Sequence, residues 1–128
     1  MQQLKFEASW DKALADQDRK QIEKIFNKTK DQTSSDILCS PIREAINHKE
    51  ELLVSVIVHN FTEHSFSFNN IRLLYRIQGE VIADKAFTLV KLEIPPYVSM
   101  PWTFIFQKKS YTQKVPFKNG RLELSYID

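Results

Sequence analysis

The residues of this chain best equipped for chemistry are three histidines, His48, His59 and His64, and one cysteine, Cys39. A zinc site draws its ligands from closely spaced pairs such as C-x₂-C or H-x₃-H. His59 and His64 are separated by four intervening residues, inside the loose range, but they flank Asn60 at an expected strand end and no cysteine pair accompanies them. No metal is therefore expected, and the histidines are read as solvated or hydrogen-bonded. Cys39 paired with His48 or His59 would act as a nucleophile only as a thiolate in an electropositive, partly exposed setting. A small buried cysteine is the expected state instead. Carboxylates cluster at Asp16, Asp18 and Glu23 and at Glu50-Glu51, and nothing pairs them across a cleft as acid and base. Gly-rich phosphate loops, G-x-S-x-G and H-E-x-x-H are all missing from the sequence. The expectation is a protein that is not an enzyme and carries no cofactor.

Recognition chemistry is easier to find. Ile94-Pro95-Pro96 and Met100-Pro101-Trp102 fix backbone angles and remove donors on both sides of a turn. That makes Tyr97 and Trp102 candidates for an aromatic recognition surface. The competing reading, which the alternation favours, puts Trp102 in the core with Phe104 and Phe106. After Phe106 come Lys108, Lys109, Lys114 and Lys118, interleaved with Tyr111 and Phe117, a locally basic stretch able to meet an acidic partner or an anionic surface. The candidate partner-binding residues are Tyr97, Lys108, Lys109, Tyr111 and Lys114.

These residues need a scaffold, and 128 residues provide one domain. Lys and Arg number 18 and Asp and Glu 16, for a net charge of +2. They are scattered along the chain rather than drawn into the basic stripe that phosphate neutralisation requires. Nucleic acid is not an expected partner. A single cysteine forbids an intrachain disulfide and favours a reducing compartment. The N-terminal residues show no signal-peptide pattern, and the apolar run Leu52 to Val58 is far shorter than the roughly 20 residues of a membrane-spanning helix. The expected location is the cytoplasm, at most peripheral to a membrane, without membrane insertion.

The only helical pattern lies at about residues 15 to 27, where Ile22, Ile25 and Phe26 form an apolar stripe and Asp16 or Asp18 can cap the start. The stripe is expected to cover the domain's own core. Lys28 to Asp36 reads as a connection, and strands follow from about residue 36. Pro41 confines the first to an edge or to two short pieces. From Leu52 to His59, Leu52, Val54, Val56 and Val58 oppose Leu53, Ser55, Ile57 and His59. Ile71, Leu73, Tyr75 and Ile77 alternate with polar residues and lead through Gln78-Gly79-Glu80 into a hairpin partner, Val81 to Leu89. In that partner Val81, Ala83, Phe87 and Leu89 face inward, with an irregularity near Lys85. Trp102, Phe104 and Phe106 define another strand, and Leu122, Leu124 and Tyr126 the last, expected near a sheet edge. The fold class is mainly β, an immunoglobulin-like antiparallel β-sandwich with one N-terminal amphipathic α-helix.

Residues 92 to 106 read Leu-Glu-Ile-Pro-Pro-Tyr-Val-Ser-Met-Pro-Trp-Thr-Phe-Ile-Phe. The pattern I-P-P-x-x-S-x-P-W-x-F-x-F resembles the signature of the SLAP domain of bacterial accessory Sec system S-layer assembly proteins. Ser9-Trp10-Asp11 before a polar helix, and the strand ending in Val58-His59-Asn60, agree in order and spacing, so the resemblance spans nearly the whole chain. It implies a Firmicutes protein with no catalytic residues, connected with secretion or assembly of surface-layer proteins from the cytoplasmic side, here in a single copy although the family also occurs duplicated. Two readings of function follow. One is a protein-interaction module with an unidentified protein partner. The other is a structural or self-associating accessory domain, a homo-oligomer.

Overall fold

In the computed structural model, which describes residues 2–32, 35–112, 116 and 118–125, two β-sheets stack face to face. The strands are β1 (Gln3–Leu4), β2 (Ile37–Ile46), β3 (Leu52–Asn60), β4 (Phe66–Ile77), β5 (Glu80–Ile94), β6 (Val98–Phe106) and β7 (Arg121–Ser125). One sheet has the order β1-β6-β3-β2 and the other β5-β4-β7. All pairings are antiparallel except the short contact of β1 with β6. The alternating residues of β3 meet Phe68, Leu73, Tyr75, Phe87, Phe104 and Phe106 between the sheets, where burial of large apolar side chains drives the stacking.

The helical region is richer than the periodicity foretold. A short helix, α1 (Ala8–Ala13), precedes α2 (Asp16–Thr29). Glu7 caps α1 by accepting from the Ser9 amide at 3.1 Å. No aspartate side chain caps α2. Its N-cap is Ala15, and Asp16 and Asp18 lie within the first turn, where they oppose the positive end of the helix dipole. The apolar stripe does what the sequence leads one to expect: Ile22 and Phe26 are buried on Ile57, with Ile25, Trp10, Leu14 and Phe6 around them. The outer face of β3 is therefore covered as well as the inner one from Ser55 onward, and Ser55, Ile57 and His59 are buried, while Leu53 is half-buried.

Pro41 sits, as expected, on an edge strand, beside a register shift in β2. The β4–β5 hairpin closes through Gln78 and Gly79, both at positive φ, the geometry of a two-residue turn matched to strand twist. The irregularity expected near Lys85 falls elsewhere. Tyr75 pairs with Ala83 and Arg76 with Val81, so Ile82 is an extra residue, while Lys85 stays in register opposite Leu73. The extra residue reverses the facing of what precedes it. Ile82 and Ala83 are both buried, and Val81, expected inside, is exposed. β5 also runs past Leu89 to Ile94, and a second shift between its pairings of Leu89 and Glu93 leaves Val90 at the surface. β7 lies at a sheet edge, in line with the sequence reading; Tyr126 falls outside the described residues.

Candidate functional site

Of the five residues expected to bind a partner, the four that the structure describes do not form one site. Tyr97 occupies the turn that Pro95 and Pro96 open. The Val98 amide donates to the Pro95 carbonyl at 3.3 Å, and Tyr97 has a positive φ of 57°, as the third position of a type II turn requires. Its side chain is 45 % exposed. Lys108 and Lys109 lie in a 3₁₀ turn (Lys108–Ser110) at the other end of β6, a strand of nine residues and so about 30 Å away. There Lys108 pairs with Glu50 at 2.8 Å, and the Tyr111 hydroxyl donates to the Glu50 carbonyl at 2.6 Å. Tyr111 also bridges to Ala83, so Lys108 and Tyr111 clamp the β2–β3 turn to the sandwich. Lys109 is exposed. Lys114 and Phe117 lie outside the described residues. Lys118 belongs to a third place, a groove of about 640 Å³ between the last turns of α2, β2 and residues 118–121, which Lys28, Glu44 and Arg121 also line.

Trp102 needs a correction too. It shares the inward facing of Phe104 and Phe106 but is only half-buried, resting partly on the core and partly on Trp10, whose ring stacks on it at 6.5 Å with 26° between planes. It ties α1 to β6 instead of filling the centre.

The densest polar chemistry is one that spacing alone does not reveal. His59, fully buried at the end of β3, is met by hydroxyls from three elements. Ser40 on β2 lies 2.8 Å from its Nε2 and Thr29 on α2 3.1 Å from the same nitrogen, while Ser99 on β6 lies 2.6 Å from Nδ1. The pattern selects a tautomer. Thr29 Oγ1 donates its hydrogen to the Ile25 carbonyl at 2.8 Å, so towards His59 it only accepts. Nε2 must carry the proton, and Nδ1 then accepts from the Ser99 hydroxyl. That leaves Ser99 Oγ free to accept from Gln2 Nε2 at 3.0 Å. Burial without a charged partner lowers the His59 pKa from 6.5 to about 4, so the ring is neutral. Phe61 stacks on it at 5.1 Å.

Beside it, buried Asn60 makes the matching tie in the next layer. Its Nδ2 donates to the carbonyls of His64, Ile94 and Pro95 at 2.8, 3.0 and 3.1 Å, and its Oδ1 accepts from the Thr62 amide and hydroxyl. Gln2 closes the circuit by donating to the Asn60 carbonyl at 3.1 Å. A Ser–His contact of this kind can activate a hydroxyl only where a substrate reaches it. Ser40, Ser99 and His59 are all buried, so the cluster fixes the helix, β2, β3 and β6 to one another. Cys39 takes no part. It pairs with Val58 and packs against the inter-sheet core, on the face opposite His59, half-buried, with burial pushing its thiol up to about 12. His48 lies beyond the far end of β2. Among the described residues, no group of three His, Cys, Asp or Glu side chains is placed to hold a metal ion.

The model of the SLAP domain family matches residues 4–125 of the chain. The chain belongs to the SLAP domain family. No match among curated proteins or solved structures accompanies it. The SLAP signature residues now have visible work. Ser99 of the Ile-Pro-Pro-x-x-Ser run holds His59, Ile94 and Pro95 give their carbonyls to Asn60, and Trp102 receives Trp10. Three stretches that lie far apart in the SLAP sequence meet at the seam between helix and sandwich. The one sequence signal that singles them out is the family pattern itself, since no local spacing links Thr29, Ser40, His59 and Ser99. No helix among the described residues is long and apolar enough to cross a membrane.

Proposed function

We propose that this SLAP domain is a non-catalytic protein-interaction module, accessory to secretion or surface-layer protein assembly in a Gram-positive bacterium and acting in the cytoplasm, at most peripheral to the membrane. The observation that carries this reading is where the polar chemistry is spent. The hydroxyl–imidazole cluster is sealed inside the fold, whereas unpaired strand edges and aromatic or basic turns remain accessible, and these are the usual means of recruiting another polypeptide. The stacking of β6-β3-β2 on β5-β4-β7, which we read as immunoglobulin-like, supports the same role, because such sandwiches present loops and edges on a rigid frame.

The test is affinity capture with the tagged domain in the bacterium that makes it. A discrete protein of the secretion or surface-layer apparatus is expected to be retained. Recovery of the chain by itself would withdraw the module reading. Because Lys108 is already engaged by Glu50, Lys109→Glu is the cleaner probe of an electrostatic contribution. Reduced capture at low salt that disappears at moderate salt is expected, and capture unchanged at both removes the basic turn from the interface.

A further inference from the structure

We infer that a second copy of this chain pairs with the open half of β6, along an antiparallel two-fold centred on Ile105. This goes beyond partner binding and does not depend on it.

The Gln3 and Lys5 amides donate to the carbonyls of Tyr97 and Ser99, each at 2.9 Å. Odd-numbered residues of β6 thus aim their N–H and C=O groups away from β3, and even-numbered ones bond to β3. β1 covers only the Val98–Ser99 end of that edge. Beyond it, Thr103 and Ile105 aim donors and acceptors at an edge with no strand partner among the described residues.

The other edges carry the usual defences against pairing. β2 has Pro41, a register shift, Arg43 and Glu44. β5 has two bulged stretches together with Asp84, Lys85, Lys91 and Glu93. β7 alternates Arg121 and Glu123 with its buried residues. From Val98 to Gln107 there is no charged residue at all, and Ile105 is 43 % exposed, beside a cleft of about 380 Å³ lined by Phe87, Leu89, Trp102 and Phe104.

An uncharged strand is the complement of an uncharged edge, and this strand complements itself. With Ile105 opposite its own copy, the two Ile105 residues exchange N–H and C=O bonds. Thr103 then faces Gln107 of the other chain, whose N–H donates to the Thr103 carbonyl. Proline at 101, which has no N–H, falls outside this register, as do the Trp10–Trp102 stack and β1. The existing β1 and the incoming strand therefore occupy the edge end to end without competing.

Sedimentation equilibrium of the purified chain across about two decades of concentration should show a mass rising towards two chains. Ile105→Lys sets two like charges opposite each other at an exposed position and should hold the mass at one chain with an unchanged circular dichroism spectrum. The register is tested separately in a Cys39→Ser background. Directly opposed, hydrogen-bonded residues lie about 5.5 Å apart at Cα, within disulfide reach. Ile105→Cys should therefore cross-link to itself on mild oxidation, whereas Thr103→Cys should not. A wild-type mass of one chain at the highest concentration overturns the inference. So does a dimer that Ile105→Lys leaves intact, or a Thr103→Cys chain that cross-links as readily as Ile105→Cys.

Discussion

Among the described residues, the ring nitrogens of His59 meet only hydroxyls, and Nδ1 already accepts from Ser99, so a second proton finds no acceptor among them. In the unfolded chain the imidazole titrates near 6.5, and in the fold near 4. Between those values the unfolded state binds a proton that the native state refuses, so stability rises with pH across this window. It is fully present above about 6.5 and is lost progressively as pH falls towards 4, by about 3 kcal/mol in total. Urea unfolding at pH 7, 5.5 and 4.5 checks this, and His59→Gln, less stable at pH 7, should flatten the slope. Asn60 allows a sharper contrast. Asn60→Ala takes the Nδ2 donor from the carbonyls of His64, Ile94 and Pro95, of which Pro95 keeps the Val98 amide, and should cost about 2 kcal/mol. Asn60→Asp keeps the acceptor for Thr62 but turns a carboxylate towards those carbonyls. It should cost at least as much at pH 7 and recover part of the loss in acid, where the carboxyl regains a proton to donate. Equal losses at both pH values would mean that the Nδ2 contacts contribute little.

Among the elements, α2 is held by Ile22 and Phe26 against Ile57, with polar ties from Thr29 to His59 and from Asp18 to Arg43 on β2. Ile22→Ala removes a side chain that is 2 % exposed and should destabilise by about 3 kcal/mol, seen in thermal unfolding. α1 has no buried residue of its own; it is held by the Trp10–Trp102 stack, by Trp10 against the Ile22–Phe26 cluster and by the Asp11–Arg19 ion pair at 2.9 Å. Trp102→Ala, half-buried, should cost less than a fully buried tryptophan, about 2 kcal/mol. A double-mutant cycle with Trp10→Ala should return a coupling of about 1 kcal/mol, and additivity would show that the rings are neighbours without interaction. The same elements show what a sequence can disclose. The period-two patterns of β3, β4, β6 and β7 and the stripe of α2 are legible because each records one local face. The outer face of β3 reads as half-polar, through Ser55 and His59, because its cover comes from residues about 30 positions earlier. Val81-Ile82-Ala83 is apolar throughout and so carries no parity from which to place the bulge. α1 is silent because a six-residue helix with a single large apolar contact has no periodicity to show. Tyr97 and Lys108 look close in sequence, yet a strand laid straight between them keeps them apart.

At the scale of the molecule, the buried groups define a range of pH. Burial raises Cys39 from 9.0 to about 12 and Tyr75 from 10.0 to about 12. Above pH 9 the unfolded chain sheds protons that the fold retains, so stability present below that value declines as pH rises. Together with His59 this predicts a plateau between about pH 6.5 and 9, with an alkaline limb that Cys39→Ser should weaken in denaturant titrations. The seam that gathers Gln2, Thr29, Ser40, His59 and Ser99 also sets an order of events during synthesis. The amphipathic stripe of α2 emerges from the ribosome before Ile57, on which it packs, and β1 cannot settle until β6, nearly a hundred residues later, has been made. At about 5 to 20 residues per second, the N-terminal helices remain without their docking surface for several seconds. Residues 2–29 are thus translated before the strands they dock on and are among the last to lock, and for that interval the growing chain exposes Ile22, Ile25 and Phe26 to whatever else is nearby.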